Sequence, residues 1–247
     1  MPTVRAEAAP AADAAAKQRL THRVYLAEVL SAEVDQRDGR RRARRLVEAR
    51  FPRLKRLEDF DLTVAPQVNP ATLAALGSGA WIDAGEPVVL IGDSGTGKSH
   101  LLIGLGVAAC EAGRRVRYVT CAGLVNELAE AADERVLSKV VGRYGRLDLL
   151  LVDELGYVSI DTRGAELLFQ VLTEREERAS VAAASNHPFS EWGATFADPR
   201  LAAAVVDRLT FRAHIIETGT DSYRLRAART KKNTTKAALP QGDHDGR

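Results

Sequence analysis

Residues 92–99 read Gly92-Asp93-Ser94-Gly95-Thr96-Gly97-Lys98-Ser99, which meets the pattern G-x-x-x-x-G-K-[ST] in full. Glycines at these places let the backbone wrap an anion, so that successive N–H groups face a phosphate. Lys98 can then reach the β- and γ-phosphates of a nucleotide as a point charge. The Ser99 hydroxyl can complete the shell of a Mg²⁺ ion. The run from Gly92 through His100 is therefore the candidate nucleotide-binding loop. A second stretch supplies what the first lacks. Leu147-Asp148-Leu149-Leu150-Leu151-Val152 leads into Asp153-Glu154, so a largely apolar segment ends in two acids. Asp153 can join Ser99 in holding Mg²⁺, and Glu154 can orient and polarise the water that attacks phosphorus. A glycine-rich turn with a surface lysine, or a strand ending in solvated acids, would explain either stretch by itself. Their occurrence together points to hydrolysis of a nucleoside triphosphate, with ATP and Mg²⁺ as the implied ligands.

Around this pair stand residues whose chemistry depends on their neighbours. Asn186 ends the alanine-diluted stretch Ser180–Asn186 and can sense a γ-phosphate from an adjacent strand. An Asn in a turn before His187-Pro188 is the other explanation. His187 itself shows no partner carboxylate or cysteine and reads as a turn residue. The region 37–56 is densely basic: Arg37, Arg40, Arg41, Arg42, Arg44, Arg45, Arg50, Arg53, Lys55 and Arg56 face only Asp38 and Glu48. Such a run is often just a solvated helix face. Here, however, Arg40/Arg44 and Arg41/Arg45 repel at i,i+4 spacing, and the imbalance calls for an outside anion. The phosphate backbone of duplex DNA fits, with Arg40, Arg41, Arg44 and Arg45 as the candidate contacts. Phe51 is the one aromatic residue in the run, which argues against stacking on single-stranded bases.

These groups require particular elements to hold them. Val88–Ile91 is apolar and mostly β-branched, a buried strand that feeds the loop, and Leu101–Leu105 opens a helix behind it. That helix should end near Gly113. Val116–Thr120 alternates as a short strand, and 124–143 carries helical periodicity. The acid pair closes a buried parallel strand, where ligands of α/β sheets collect. A helix over 166–175, a strand over 180–186, a helix over 201–209 and a last strand over 213–217 follow. Upstream, 17–50 is helical, with Gly39 as an expected break and Pro52 as a stop.

Composition sets the outer bounds. At 247 residues, with 45% hydrophobic content, the chain has room for one α/β domain plus extensions. The formal charge of +2 hides the local basic excess. Cys110 and Cys121 lack metal-ligand spacing and read as idle thiols in a reducing compartment. Without a membrane-length apolar run or a signal-peptide core, the expectation is a soluble cytoplasmic protein. Residues 1–16, mostly alanine, and 229–247 read as disordered tails. Between them lie a basic helical segment, 17–56, and the catalytic domain, 57–228. Roughly thirty residues follow the last strand, too few for a full helical lid.

The same residues carry a family resemblance. The chain resembles the IstB-like helper ATPases of insertion sequences, kin of the DnaC-like helicase loaders in the AAA+ initiator clade. The likeness spans about 25–226 and rests on Arg50-Phe51-Pro52 with Leu57-Glu58-Asp59-Phe60-Asp61, and on Gly97-Lys98-Ser99-His100-Leu101. It rests further on Asp153-Glu154-Leu155-Gly156-Tyr157, Ser185-Asn186 with Glu191-Trp192, Asp207-Arg208-Leu209 and Ser222-Tyr223-Arg224. The resemblance implies a P-loop AAA+ αβα sandwich with parallel strand order 5-1-4-3-2. It implies homo-oligomers on duplex DNA with ATP between subunits, and a transposase encoded by the same element as partner. It also implies Asn186 as the γ-phosphate sensor, Arg208 as an arginine finger reaching a neighbour's ATP, and Arg224 as a second sensor. Thr210-Phe211-Arg212 departs from the Leu-His-His usual in related chains, and Ala184 stands where Thr is common. Two rivals stay open: a loader acting on a replicative helicase, and a nucleotide-gated DNA scaffold with little turnover.

Overall fold

The central strands are apolar along their whole length, and strands of that composition need cover on both faces. The computed structural model, which describes residues 2–220 and 222, supplies it. Strands β1 (Val88–Ile91), β2 (Val116–Thr120), β3 (Leu149–Leu155), β4 (Ser180–Ser185) and β5 (His214–Glu217) pair in parallel in the order β2-β3-β4-β1-β5. This is the 5-1-4-3-2 order expected. The helices are α1 (Pro2–Lys17), α2 (His22–Ala49), α3 (Pro70–Ser78), α4 (Ala80–Asp83) and α5 (Lys98–Glu111). They continue with α6 (Cys121–Asp133), α7 (Leu137–Gly145), α8 (Thr162–Arg175), α9 (Trp192–Thr195) and α10 (Pro199–Thr210).

The two-residue period of the strands divides their side chains between two cores. Val89, Leu150, Val152, Val181 and Ala183 point to one face, where Leu124, Leu128, Leu168, Val171, Val205 and Trp192 of the helices cover them. Val88, Leu90, Leu149, Leu151, Ala182 and Ala184 point to the other, under Leu101, Leu102 and Leu105 of α5, with Leu73, Leu76 and Trp81 beside them. The alanines that weaken β4 as a strand signal have a packing role. All are buried, and their small side chains let helices come close on both faces.

The N-terminal region departs from what its composition suggests. Residues 1–16 were expected to be a disordered tail, yet Pro2–Lys17 is helical. Alanine is the best helix former, and α1 is further anchored on α2. Tyr25 Oη donates to Ala8 O at 3.1 Å, Val4 N donates to the buried Glu33 carboxylate at 3.1 Å, and Ala15 is buried. Gly39 does not break the following helix either, since α2 runs unbroken from His22 to Ala49. Open space surrounds Gly39, so its cost is backbone entropy of about 1 kcal/mol. The helix stops at Arg50, which takes a left-handed conformation (φ 57°), just before Pro52. A further difference concerns 124–143, which is two helices. Arg135 at φ 60° separates them, and the amides of Arg135 and Val136 close on Ala132 O and Ala131 O.

Both cysteines are buried and free, and burial pushes each thiol up to about 12. No helix among the described residues is long and apolar enough to cross a membrane. The segment 229–247 lies outside the described residues.

Candidate nucleotide site

β1 delivers the glycine-rich loop, and the two strands beside it hold its first residues. Gly92 N donates to Ser185 O at 3.3 Å, Asp93 N to Gly219 O at 3.0 Å, and Thr218 N to Ile91 O at 2.8 Å. Thr96 Oγ1 donates to Asp93 O at 2.8 Å and lies 2.6 Å from Thr218 Oγ1 in a buried hydrogen bond. The loop is thus braced from the far end of the chain. Gly95 (φ +88°) and Gly97 (φ +99°) adopt left-handed conformations that side chains resist. A Cβ on Gly97 would also run into the Phe60 ring at 2.6 Å.

Gly97 caps α5 without a side-chain hydrogen bond. Gly97 has no side chain with which to cap this 14-residue helix, so its first-turn N–H groups face the loop. Lys98 is buried beside them, and its Nζ donates to Gly92 O (2.6 Å) and Asp93 O (2.7 Å). A glycine-rich loop, a helix N-terminus and a buried ammonium suit a polyphosphate. Ser99 follows, half-buried, in the first turn. The His100 side chain also makes contacts outside the loop. Its Nε2 pairs with Arg56 O at 2.9 Å, and its ring meets Phe60 edge-on at 5.4 Å. Burial lowers its pKa. It ties the incoming linker to α5.

The acid pair lies one strand away, with β4 between β3 and β1. Asp153 is 3% exposed; its Oδ2 accepts the Tyr118 hydroxyl at 2.8 Å and its Oδ1 accepts Glu154 N at 2.9 Å. Burial, then the carboxylate itself, pushes the Tyr118 phenol well above its ordinary range, so the donor proton stays in place. Nothing in the local sequence marked Tyr118. The β2–β3 register, which pairs Thr120 with Asp153, brings it there. Glu154 is exposed at φ 59°, where the ladder with β4 shifts between Val152 and Leu155. Such an irregularity re-aims a side chain, and here it turns Glu154 towards a cavity of about 260 Å³ that Asn126 and Asp161 also line. Asn186 leaves β4 directly after Ser185, whose carbonyl holds Gly92. The loop, the acid pair and Asn186 thus share one end of the sheet. Buried Trp192 donates to Ser185 Oγ (3.1 Å) and His187 O (3.0 Å) and fixes that turn. His187 does have a carboxylate partner, Glu191 at 2.9 Å, because the short turn Phe189–Glu191 brings Glu191 back beside it. The pair is exposed and braces the turn.

Arg208 lies elsewhere. It shares a cavity of about 270 Å³ with Pro87 and Ala179, which precede β1 and β4, at the end of the sheet opposite its own loop. Arg224 lies outside the described residues. On α2, Arg40, Arg41 and Arg44 are exposed, Arg40 bonding to Gln36 and Arg44 to Glu48 at 2.9 Å. Arg45 differs: its side chain is 19% exposed against 74% for Arg44. The Cys110 thiol also donates to its backbone carbonyl. It faces the body of the protein.

A parallel sheet in this order, with the loop after β1 and an acid pair ending β3, defines a P-loop nucleotide-binding protein of the AAA+ type. The chain belongs to the IstB-like ATP binding protein family, whose model matches residues 3–231. It is 36% identical over 231 residues to the "Insertion sequence IS21 putative ATP-binding protein" of Pseudomonas aeruginosa, covering 94% of this chain and 87% of that one. It is 32% identical over 225 residues to the corresponding IS5376 protein of Geobacillus stearothermophilus, covering 91% and 90%. Among solved structures, AMPPCP-bound DnaA from Aquifex aeolicus shares the fold at TM-score 0.59 and 21% identity, over 77% of this chain and 58% of that one. DnaI does so at TM-score 0.53 and 20% identity, over 66% and 90%.

Proposed function

We propose that this chain is a Mg²⁺-dependent ATPase that assembles on duplex DNA with ATP and recruits or regulates the transposase of its own insertion sequence. Hydrolysis would reset the assembly. The observation that carries the ATPase reading is the shared sheet end of Lys98, Asp153 and Glu154. Lys98 and the loop N–H groups would bind the phosphates, Ser99 and Asp153 would hold Mg²⁺, and Glu154 would orient water, with Asn186 beside the γ-phosphate. Bound Mg²⁺ would neutralise charge on the phosphates. The location of Arg208 away from its own loop agrees with service to a neighbour's nucleotide. Exposed Arg40, Arg41 and Arg44 on α2 support a duplex contact within segment 17–56, while 57–228 forms the ATPase unit. The link to transposition comes from the insertion-sequence names of the relatives.

Sedimentation with and without duplex DNA, in ATP or a non-hydrolysable analogue, tests this reading. Large assemblies that need both nucleotide and duplex are expected. A species indifferent to duplex would move the reading to a helicase loader whose basic segment grips a protein. Assembly without measurable turnover would leave a nucleotide-gated scaffold, a rival that the presence of Glu154 disfavours.

A further inference from the structure

Arg208 projects from the last turn of α10 onto α8 and is held there on three sides. Its Nε donates to Thr173 Oγ1 at 3.1 Å and lies 3.4 Å from Glu176 Oε2. Its Cζ sits 4.1 Å from the centroid of the Phe169 ring, a stacked cation–π contact. Phe169 and Thr173 are one turn apart on the same face of α8, and Glu176 continues the stripe just past the helix end. All the anchoring is on the plane of the guanidinium and on Nε. Among the described residues, neither terminal nitrogen of Arg208 makes a hydrogen bond. Those two nitrogens form the fork that meets two phosphate oxygens at once.

We propose that Phe169, Thr173 and Glu176 are positioning residues that hold Arg208 with its terminal fork presented to the nucleotide of a neighbouring copy. A carboxylate gripping the fork itself would occupy the edge that phosphate needs; Glu176 at Nε leaves it open. Stacking on Phe169 sets the plane, and Thr173 sets its rotation. The long side chain then has little conformational freedom left to lose when the fork engages. This inference rests on the trans-acting reading of Arg208, and the test separates the two.

Full-length Arg208→Ala protein, with its own loop and Glu154 intact, is mixed with full-length Glu154→Gln protein, which keeps Arg208. ATP hydrolysis is then measured with duplex DNA present. Each variant by itself should be inactive, and the mixture should regain turnover. No recovery overturns the trans-acting role of Arg208 and the positioning roles with it. Given recovery, Thr173→Val, Glu176→Gln or Phe169→Leu is introduced into the Glu154→Gln partner only. Each should lower kcat of the mixture by about tenfold while KM for ATP stays unchanged, because the hydrolysing site belongs to the other variant. Thr173→Ser should restore it. The donors' own nucleotide affinity and sedimentation, unchanged, show that they fold and assemble. Recovery that is indifferent to Thr173→Val and Glu176→Gln overturns the positioning roles alone.

Discussion

The two ends of the sheet hold their charged groups in different ways. Where the strands finish, Lys98 and Asp153 are buried, and backbone groups help to hold both: loop carbonyls for the lysine, and the Glu154 amide, with the Tyr118 hydroxyl, for the acid. Where the strands begin, arginines meet glutamates. Arg208 has Glu176 at 3.4 Å, and Arg212 has Glu86 at 3.0 Å, a carboxylate shared with His214 at 2.9 Å. Arg175 is the exception at that end. It is fully buried, and its guanidinium donates to the carbonyls of Tyr144, Leu147 and Ser180. Burial lowers its pKa to about 10, so it remains charged at neutral pH. Backbone groups cannot swing away, so they fix a charge for chemistry or architecture. Partly exposed ion pairs such as these add little stability. At one end backbone groups hold the buried charges, and at the other carboxylates partner most of the arginines.

Substitutions can break or sharpen this contrast. The largest effect is expected from Glu154→Gln, which should lower turnover by about 10²–10⁴-fold while nucleotide affinity persists. Lys98→Ala should instead remove nucleotide binding and assembly together. Parallel nucleotide titrations and steady-state assays check both, and equal losses of affinity in the two variants would erase the division of labour. Arg175→Met at the opposite end should cost about 3 kcal/mol of stability, read by urea denaturation, because three buried carbonyls lose their donor. Retained stability would mean that those carbonyls find water. Tyr118→Phe should cost about 1–2 kcal/mol and reduce turnover, with assembly intact, since one oxygen of a buried carboxylate loses its partner. On α2 the effects are smaller. Arg44→Glu should flatten the dependence of log K for duplex on log salt by about one unit, whereas Arg45→Gln should leave the slope unchanged. A slope unaltered by Arg44→Glu would move the duplex surface elsewhere.

The working end of the sheet was largely legible before any coordinates, because its chemistry is local in the chain. The glycine pattern, Lys98 and Ser99 are contiguous, and Asp153-Glu154 terminate a recognisable apolar strand. Within that motif the contacts of the His100 side chain were not legible, because Arg56 and Phe60 lie far away in the chain. The other end was nearly silent. Arg175 closes an ordinary amphipathic helix and gives no sign of full burial, and Arg208 stood out only through family likeness. The alanine-rich start was misread because it has nothing large to bury. Its helix depends on propensity together with a docking surface that α2 supplies.

The sequence by itself pointed to the class of chemistry and to a parallel sheet of buried strands. Backbone conformation at glycines and period-two burial are short-range properties that residue type controls directly. Only the tertiary structure decided which distant residues complete each site: Tyr118 on Asp153, Thr218 on Thr96, Phe60 against Gly97, and the Phe169–Thr173–Glu176 stripe on Arg208. Those contacts depend on strand order, strand register and helix packing. These follow from how the whole apolar surface is buried, which no local pattern encodes.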